Sequence, residues 1–410
     1  MRKINFIFTL IKMLLNIPLY FIAKLIPKNE NISIIGASLG DHFADNSKYF
    51  YIYFHKIKKD KHNKLIWITK NKEVFELLYS YNLPVEYLYT FKGIYTTLKA
   101  SKVFLSHQLD DINGSLVGGS TIIQLWHGFP LKKIGYKGDW NSNKISGKIK
   151  YFIYDMMPFN YYMNCDKLII PSLLAKNNFK EAFTLSFKNE KSHKDIMLLG
   201  YPRNDVFEID YKFDIFLFPE IKILKQYKNK FKYIISWLPT QRKALDKTIL
   251  HLIEESKLDL LKLDSFCQKN NILFVFKPHF LDMNILSEKI QKYKNLIIYE
   301  MADPYPLLSY TDILLTDYSS VYFDFLLTQK PIIFAPFDYE AYLSKVNFYQ
   351  SYDEMIAGAK CHTWSEILEN ITLIINHKDN YINQRKLLLE KLDFKKNSSE
   401  LIYNTFFKDN

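Results

Sequence analysis

Two histidines stand where an apolar run gives way to turn residues. In QLWHGFP, Gln124 to Pro130, His127 is followed by Gly128 and Pro130, then by Lys132 and Lys133. An imidazole titrates near neutral pH, so at such a place it can take a proton from a hydroxyl. The same residues also suit a turn histidine bonded to backbone. In FVFKPHF, His279 repeats the arrangement, with Lys277 two residues before it and Pro278 between; such a histidine can hold a diphosphate or protonate a leaving phosphate. His107, in VFLSHQ, has the same form without the Gly-x-Pro or the lysines, and ranks below His127.

Groups suited to an anion follow other apolar runs. LLTDYSSVYFDF supplies the hydroxyls of Thr316, Ser319 and Ser320, and a helix starting near Ser319 would offer backbone N–H groups to a phosphate. Asp324, further into that helix, could bond a ribose or a positioning group. SWLPTQRK offers Thr240 and Arg242, and YPRND offers Arg203; a planar guanidinium can grip phosphate with two parallel bonds. The sequence has no phosphate-binding G-x-x-x-x-G-K-[ST] and no G-x-G-x-x-G after a strand. It also has no D-x-D pair to hold a metal. Diphosphate charge therefore falls to Arg, Lys, His and helix N-termini, and neither metal nor cofactor is expected.

The elements that must position these groups are short, continuously apolar runs, the mark of parallel strands covered on both faces. They lie at 31–36, 64–69, 85–89, 102–106, 120–126, 167–172 and 195–200, then at 232–239, 271–278, 295–300, 312–317 and 330–336. Amphipathic spacers complete βαβ units, and the series breaks near 201–231. The expected fold is α/β, two doubly wound Rossmann-like domains facing a central cleft. The expected boundaries are 1–28, a membrane-associated segment; 29–205, an acceptor domain; 206–385, a nucleotide-donor domain; and 386–410, a helical tail. Ligands of such sheets sit beyond the carboxyl ends of the strands, and five strand ends carry the groups named above.

A chain of 410 residues is too long for one core. Its net charge of +12 calls for an anionic partner, such as a phosphorylated substrate or a lipid headgroup; the absence of zinc-finger spacing and RNP-like aromatics argues against nucleic acid. Cys165, Cys267 and Cys361 form no C-x-x-C, which suits a reducing compartment. Residues 1–28 are apolar with only positive charges, and Lys12, Asn16 and Pro18 interrupt any spanning helix. The expectation is a helix in the membrane interface, with a helix packed on the protein itself, or a spanning anchor, as alternatives.

WHGFPLKKIG, LGYPRND, LPTQR, KPH and LLTDYSSVYFDFLLTQKPIIFAPFDYEAY, in that order, resemble the CDP-glycerol glycerophosphotransferases, which prime or polymerise teichoic acids and some capsular polymers. The likeness spans roughly 30–360. It implies a GT-B fold at the cytoplasmic face of the membrane, peripherally bound. It implies His127 as catalytic base and His279 on the donor diphosphate. The donor-binding set it implies is Gly128, Phe129, Pro130, Leu131, Arg203, Pro239, Thr240, Arg242, Lys277, Pro278, Thr316, Ser319, Ser320 and Asp324, with Lys132 and Lys133 on the acceptor or phosphate side. The implied partners are a CDP-linked donor and a lipid-linked or polymeric acceptor. Phe129 stands where that family commonly has Thr, Gln241 where it has an aromatic residue, and Lys243 where it has Asp. A nucleotide-sugar glycosyltransferase of the same architecture, making capsule or lipopolysaccharide, is the alternative; a binding protein that has kept the fold is a third reading.

Overall fold

The computed structural model describes residues 14, 16–135, 165–182, 196–207, 219–242, 245–278 and 283–408. His279 and Lys243 lie outside this set, as do residues 1–13. The chain divides into two units. The first comprises Met1–His127, Gly135–Asp205 and Lys395–Asn410, and the second Gly128–Ile134 and Val206–Phe394.

Unit 1 holds a seven-stranded sheet: β1 (Asn29–Gly36), β2 (Lys64–Thr69), β3 (Val85–Tyr87), β4 (Ala100–Leu105), β5 (Thr121–Gln124), β6 (Lys167–Ile170) and β7 (Ile196–Leu198). Their order is β3-β2-β1-β4-β5-β6-β7, all parallel. Unit 2 holds β8 (Tyr233–Leu238), β9 (Ile272–Phe276), β10 (Leu296–Ile298), β11 (Ile313–Thr316), β12 (Ile332–Phe334) and β13 (Ala359–Lys360), ordered β10-β9-β8-β11-β12-β13 and again parallel. Each sheet runs outward from its first strand and then reverses, so each has a switch point, β1/β4 in one and β8/β11 in the other.

Every expected strand is present. Continuous apolarity was the right signal, because helices cover both faces: ILFVF of β9 is buried throughout. The core of unit 2 gathers Ile235, Trp237, Phe274, Phe276, Leu315 and Trp364; that of unit 1 gathers Ile34, Ile68, Val103, Leu105 and Ile122. β5 ends two residues before its expected limit, because Trp126 turns the backbone into the left-handed region at φ 61°. β13, two residues long, has no hydrophobic run to announce it.

The terminal segments depart from the expected boundaries. The helix Ile382–Leu392 belongs to unit 2, tied by Arg385, whose guanidinium pairs with Asp379 and donates to the Gln329 carbonyl at 3.1 Å. From Lys395 the chain returns to unit 1. There the helix Ser398–Phe407 is capped by Asp205, whose carboxylate accepts from the amides of Ser398 (2.9 Å) and Ser399 (2.8 Å). At the other end, residues 16–25 are helical. Ile17 and Tyr20 pack on the core of unit 1, and the helix passes so close to Gly118 that a Cβ there would meet the Tyr20 carbonyl oxygen at 2.2 Å. The opposite face exposes Leu19, Phe21, Ile22 and Leu25. Among the described residues, no helix is long and apolar enough to cross a membrane.

Candidate active site

At the switch point of unit 1 the exits of β1, β4 and β5 converge. His127 lies just past β5 and His107 just past β4; because the strands pair in parallel register, Leu105 beside Gln124, the two imidazoles stack with centroids 4.5 Å apart and planes 4° from parallel. Trp126 stacks on His127 as well, at 4.5 Å. A bulky residue rarely adopts positive φ, and here three side-chain bonds fix the turn. Asn46 donates to the carbonyls of Leu125 (3.1 Å) and Trp126 (2.7 Å), and the Gln124 side chain accepts from the Trp126 amide (3.0 Å). The same Gln124 amide donates to the His107 carbonyl at 3.0 Å, tying the exits of β4 and β5 together.

The tautomer of His127 follows from its partner. Nδ1 lies 3.0 Å from the Ser106 carbonyl oxygen, which can only accept, so Nδ1 carries the hydrogen and Nε2 keeps its lone pair. Burial, and then His107, push the imidazole down to about 4. The residue nonetheless presents an exposed edge; water there offsets part of the burial cost, and the direction, toward the neutral ring, stands. A neutral imidazole with a free Nε2 at an open edge is a general base in its working state.

Charged groups surround the pair. Asp45 accepts from Arg203 Nη1 at 2.8 Å and lies 3.9 Å from His107 Nε2. Despite burial, Arg203 and then His107 hold the Asp45 carboxyl below its usual range. Asp111, wholly buried, accepts from the amides of Leu39 (2.8 Å), Ser106 (3.1 Å) and His107 (2.7 Å). Burial outweighs these bonds and pushes its carboxyl up to about 6. Asp45, Asn46 and Asp111 did not stand out in the sequence. Their only signal was position, after β1 and β4. Asn204 is 4% exposed, and among the described residues neither its side-chain oxygen nor its side-chain nitrogen has a hydrogen-bond partner. A buried polar group in that state asks for a ligand.

Unit 2 has its own cluster at the β8/β11 switch point. Arg242, 1% exposed at its side chain, is ion-paired through Nη1 with Asp317 Oδ2 (2.7 Å) and donates from Nε (2.7 Å) and Nη2 (3.0 Å) to Asp338. It also lies over Tyr318 and Tyr342, which stack at 3.9 Å. Asp317 Oδ1 accepts from the Thr240 amide at 2.8 Å, joining the two strand exits. Lys132 reaches Tyr342 Oη at 3.3 Å; burial pushes it down to about 8, Asp317 opposing and Arg242 assisting. Lys277 is likewise pushed down by burial to about 8, with Asp303 opposing. Pro239, Thr240, Arg242 and Pro278 line one small cavity, and Thr240 Oγ1 is buried with no hydrogen-bond partner among the described residues.

Several expected donor contacts have other work. Asp45 accepts from Nη1 of Arg203, and Asp317 with Asp338 engages Arg242 through Nη1, Nε and Nη2. Thr316 donates to the Leu238 carbonyl (2.7 Å) inside the sheet. Asp324, fully buried, accepts from Tyr305 Oη at 2.6 Å through Oδ2. Phe129 and Leu131 are core side chains; Phe129 packs on Phe323 at 4.3 Å, and those contacts accommodate a ring in that place. Gly128 and Pro130 are buried beside them. Ser319 and Ser320 remain partly open at the start of the short helix Val321–Phe325. Lys133 donates its amide to the Asn347 carbonyl (2.8 Å), with Lys132 bridging Phe348, so residues 131–134 run along unit 2.

Two parallel sheets of this order, with a buried histidine pair at the switch point of one and a cationic strand-end cluster at that of the other, have the architecture of a transferase of the GT-B type. The chain belongs to the family described as CDP-glycerol:poly(glycerophosphate) glycerophosphotransferase, whose model matches residues 19–408. It is 29% identical over 377 residues to a teichoic acid poly(glycerol phosphate) polymerase of Bacillus spizizenii, covering 87% of each chain. It is 25% identical to a teichoic acid glycerol-phosphate transferase of Staphylococcus aureus, covering 97% of this chain and 99% of that one. The solved structure of the wall teichoic acid polymerase TagF superposes with a TM-score of 0.73 at 20% identity, covering 100% of this chain and 98% of the other. The protein is thus a glycerophosphotransferase.

Proposed function

We propose that the enzyme moves glycerol phosphate from CDP-glycerol to a hydroxyl of a lipid-linked or polymeric acceptor at the cytoplasmic face of the membrane. The observation that carries this reading is His127, neutral, with Nδ1–H engaged and Nε2 free. In the step, the acceptor oxygen bonds to the phosphorus that bears glycerol, the bond from that phosphorus to the bridging oxygen breaks, and CMP leaves. The acceptor proton goes to His127 Nε2. Lys132, Lys277, Ser319, Ser320, Thr240 and His279 are the groups assigned to phosphate charge and donor contact, while Arg203 and Arg242 hold the framework. The outer face of the helix at 16–25, apolar and carrying the exposed Lys24, supports seating on an anionic bilayer.

Release of CMP from CDP-glycerol by the purified protein, supplied with membranes carrying the acceptor, tests the reading. His127→Ala should lower kcat by about 10²–10⁴. Unchanged turnover in that variant, or turnover of UDP- or CMP-sugars in place of CDP-glycerol, would sink it.

A further inference from the structure

The mechanism above uses one histidine, yet the structure presents two as a stacked pair. We propose that His107 is a positioning residue for the base: as pH falls it is the first of the two imidazoles to take an added proton, so that His127 keeps its Nε2 lone pair to a lower pH. The inference rests on the reading of His127 as base.

The argument is geometric. Ser38 N–H points at His107 Nδ1 from 3.3 Å, so the neutral ring carries its hydrogen on Nε2, toward Asp45 Oδ2 at 3.9 Å. On the other side Asp111 Oδ1 lies 4.0 Å from Nδ1. His107 therefore has a carboxyl group near each nitrogen, whereas Nδ1 of His127 bonds a backbone carbonyl. A proton added to His107 Nδ1 gives up the long Ser38 contact but gains Asp111 Oδ1 beside it, with Asp45 Oδ2 beside Nε2, and on that balance His107 takes it first. Once it is there, a second charge on a ring 4.5 Å away and nearly coplanar in orientation is opposed by its neighbour. The charged and titratable groups facing the pair are Asp45 and His42 from the loop after β1, Asp111 from that after β4, and Arg203 from that after β7. Arg203 opposes protonation of both rings, and Asp45 favours it. Burial and His107 both act to keep His127 neutral, in agreement with the geometry.

The test uses the full-length protein. The ring Cε1–H signals are followed by NMR from pH 4 to 8, with His127→Gln assigning the base. His107→Phe keeps a flat ring and loses the titrating group; His107→Gln keeps an acceptor for Ser38 N–H and covers the case in which Phe does not fold. In either variant the His127 titration should rise by about one pH unit. The acid limb of kcat/KM for CMP release should move with it while the plateau changes less. A His127 titration unchanged from wild type in a folded variant overturns the proposal. If the titration moves but no protein turns over CDP-glycerol, the pair stands and the proposed function fails. If turnover is present and neither titration nor acid limb moves, the function stands and the pair fails.

Discussion

On the proposed mechanism the Nε2 lone pair of His127 is the reactive feature, and its protonation sets the lower pH limit of turnover. Adding a proton removes the base, so kcat/KM should hold across neutral pH and fall only below the ordinary imidazole range, because burial and His107 push the ring down; a pH–rate profile of CMP release checks this. His55 gives the matching statement about stability. Its ring bonds the Leu65 carbonyl at 2.7 Å, and burial pushes it down to about 4. Its folded value lies below the unfolded one, near 6.5, so the unfolded chain binds the proton more readily. The wild type should therefore lose stability relative to His55→Phe as pH falls from 6.5 toward 4, read by urea unfolding. Arg242 is a third case. Replacing it with Met strands two buried carboxylates and should destabilise unit 2 by about 3–5 kcal/mol. Arg242→Lys should recover only part, since an ammonium lacks the planar fork that spans Asp317 and Asp338.

Among the elements, the turn after β5 decides where the base points. Asn46 holds it with two donated bonds and also accepts from the Arg203 amide at 3.2 Å. Asn46→Ala should leave the sheet folded at a cost of about 1–3 kcal/mol and lower kcat by about 10²-fold, as expected for a displaced catalytic group; thermal melting and turnover separate the two effects. The strands and the reversal in each sheet were legible because apolar runs report local burial. His127 was legible because its neighbours in sequence, Gly128, Pro130 and the lysines, mark a strand exit. Asp45 was not, since its meaning comes from Arg203, which lies 158 residues away. Nor did the sequence reveal that Arg242 is spent on Asp338, 96 residues on; an arginine after a strand reads the same whether it faces a phosphate or a carboxylate. His107 was undervalued for a related reason, because the register of β4 and β5, rather than any local motif, brings it onto His127.

At the scale of the molecule, neither unit is a continuous stretch of chain. Unit 2 takes Gly128–Ile134 from the middle of the sequence, and unit 1 takes back Lys395–Asn410. The returning helix places Phe407 against Phe54 (5.0 Å) and Phe104 (5.8 Å), with Phe50 alongside at 6.2 Å. Phe407→Ala should cost unit 1 about 3–5 kcal/mol and leave the unfolding of an isolated unit-2 probe, such as Trp237 fluorescence, less affected. The same helix has a bearing on how the protein is made. Domains fold as their residues leave the ribosome, and the residues of unit 1 emerge first. Its sheet nonetheless cannot gain the Phe407 contacts, or the amides that satisfy Asp205, until residues 398–407 have been translated. The unit begun first is thus the one finished last, and during the interval its aromatic face around Phe50, Phe54 and Phe104 stands uncovered, a natural landing place for a chaperone.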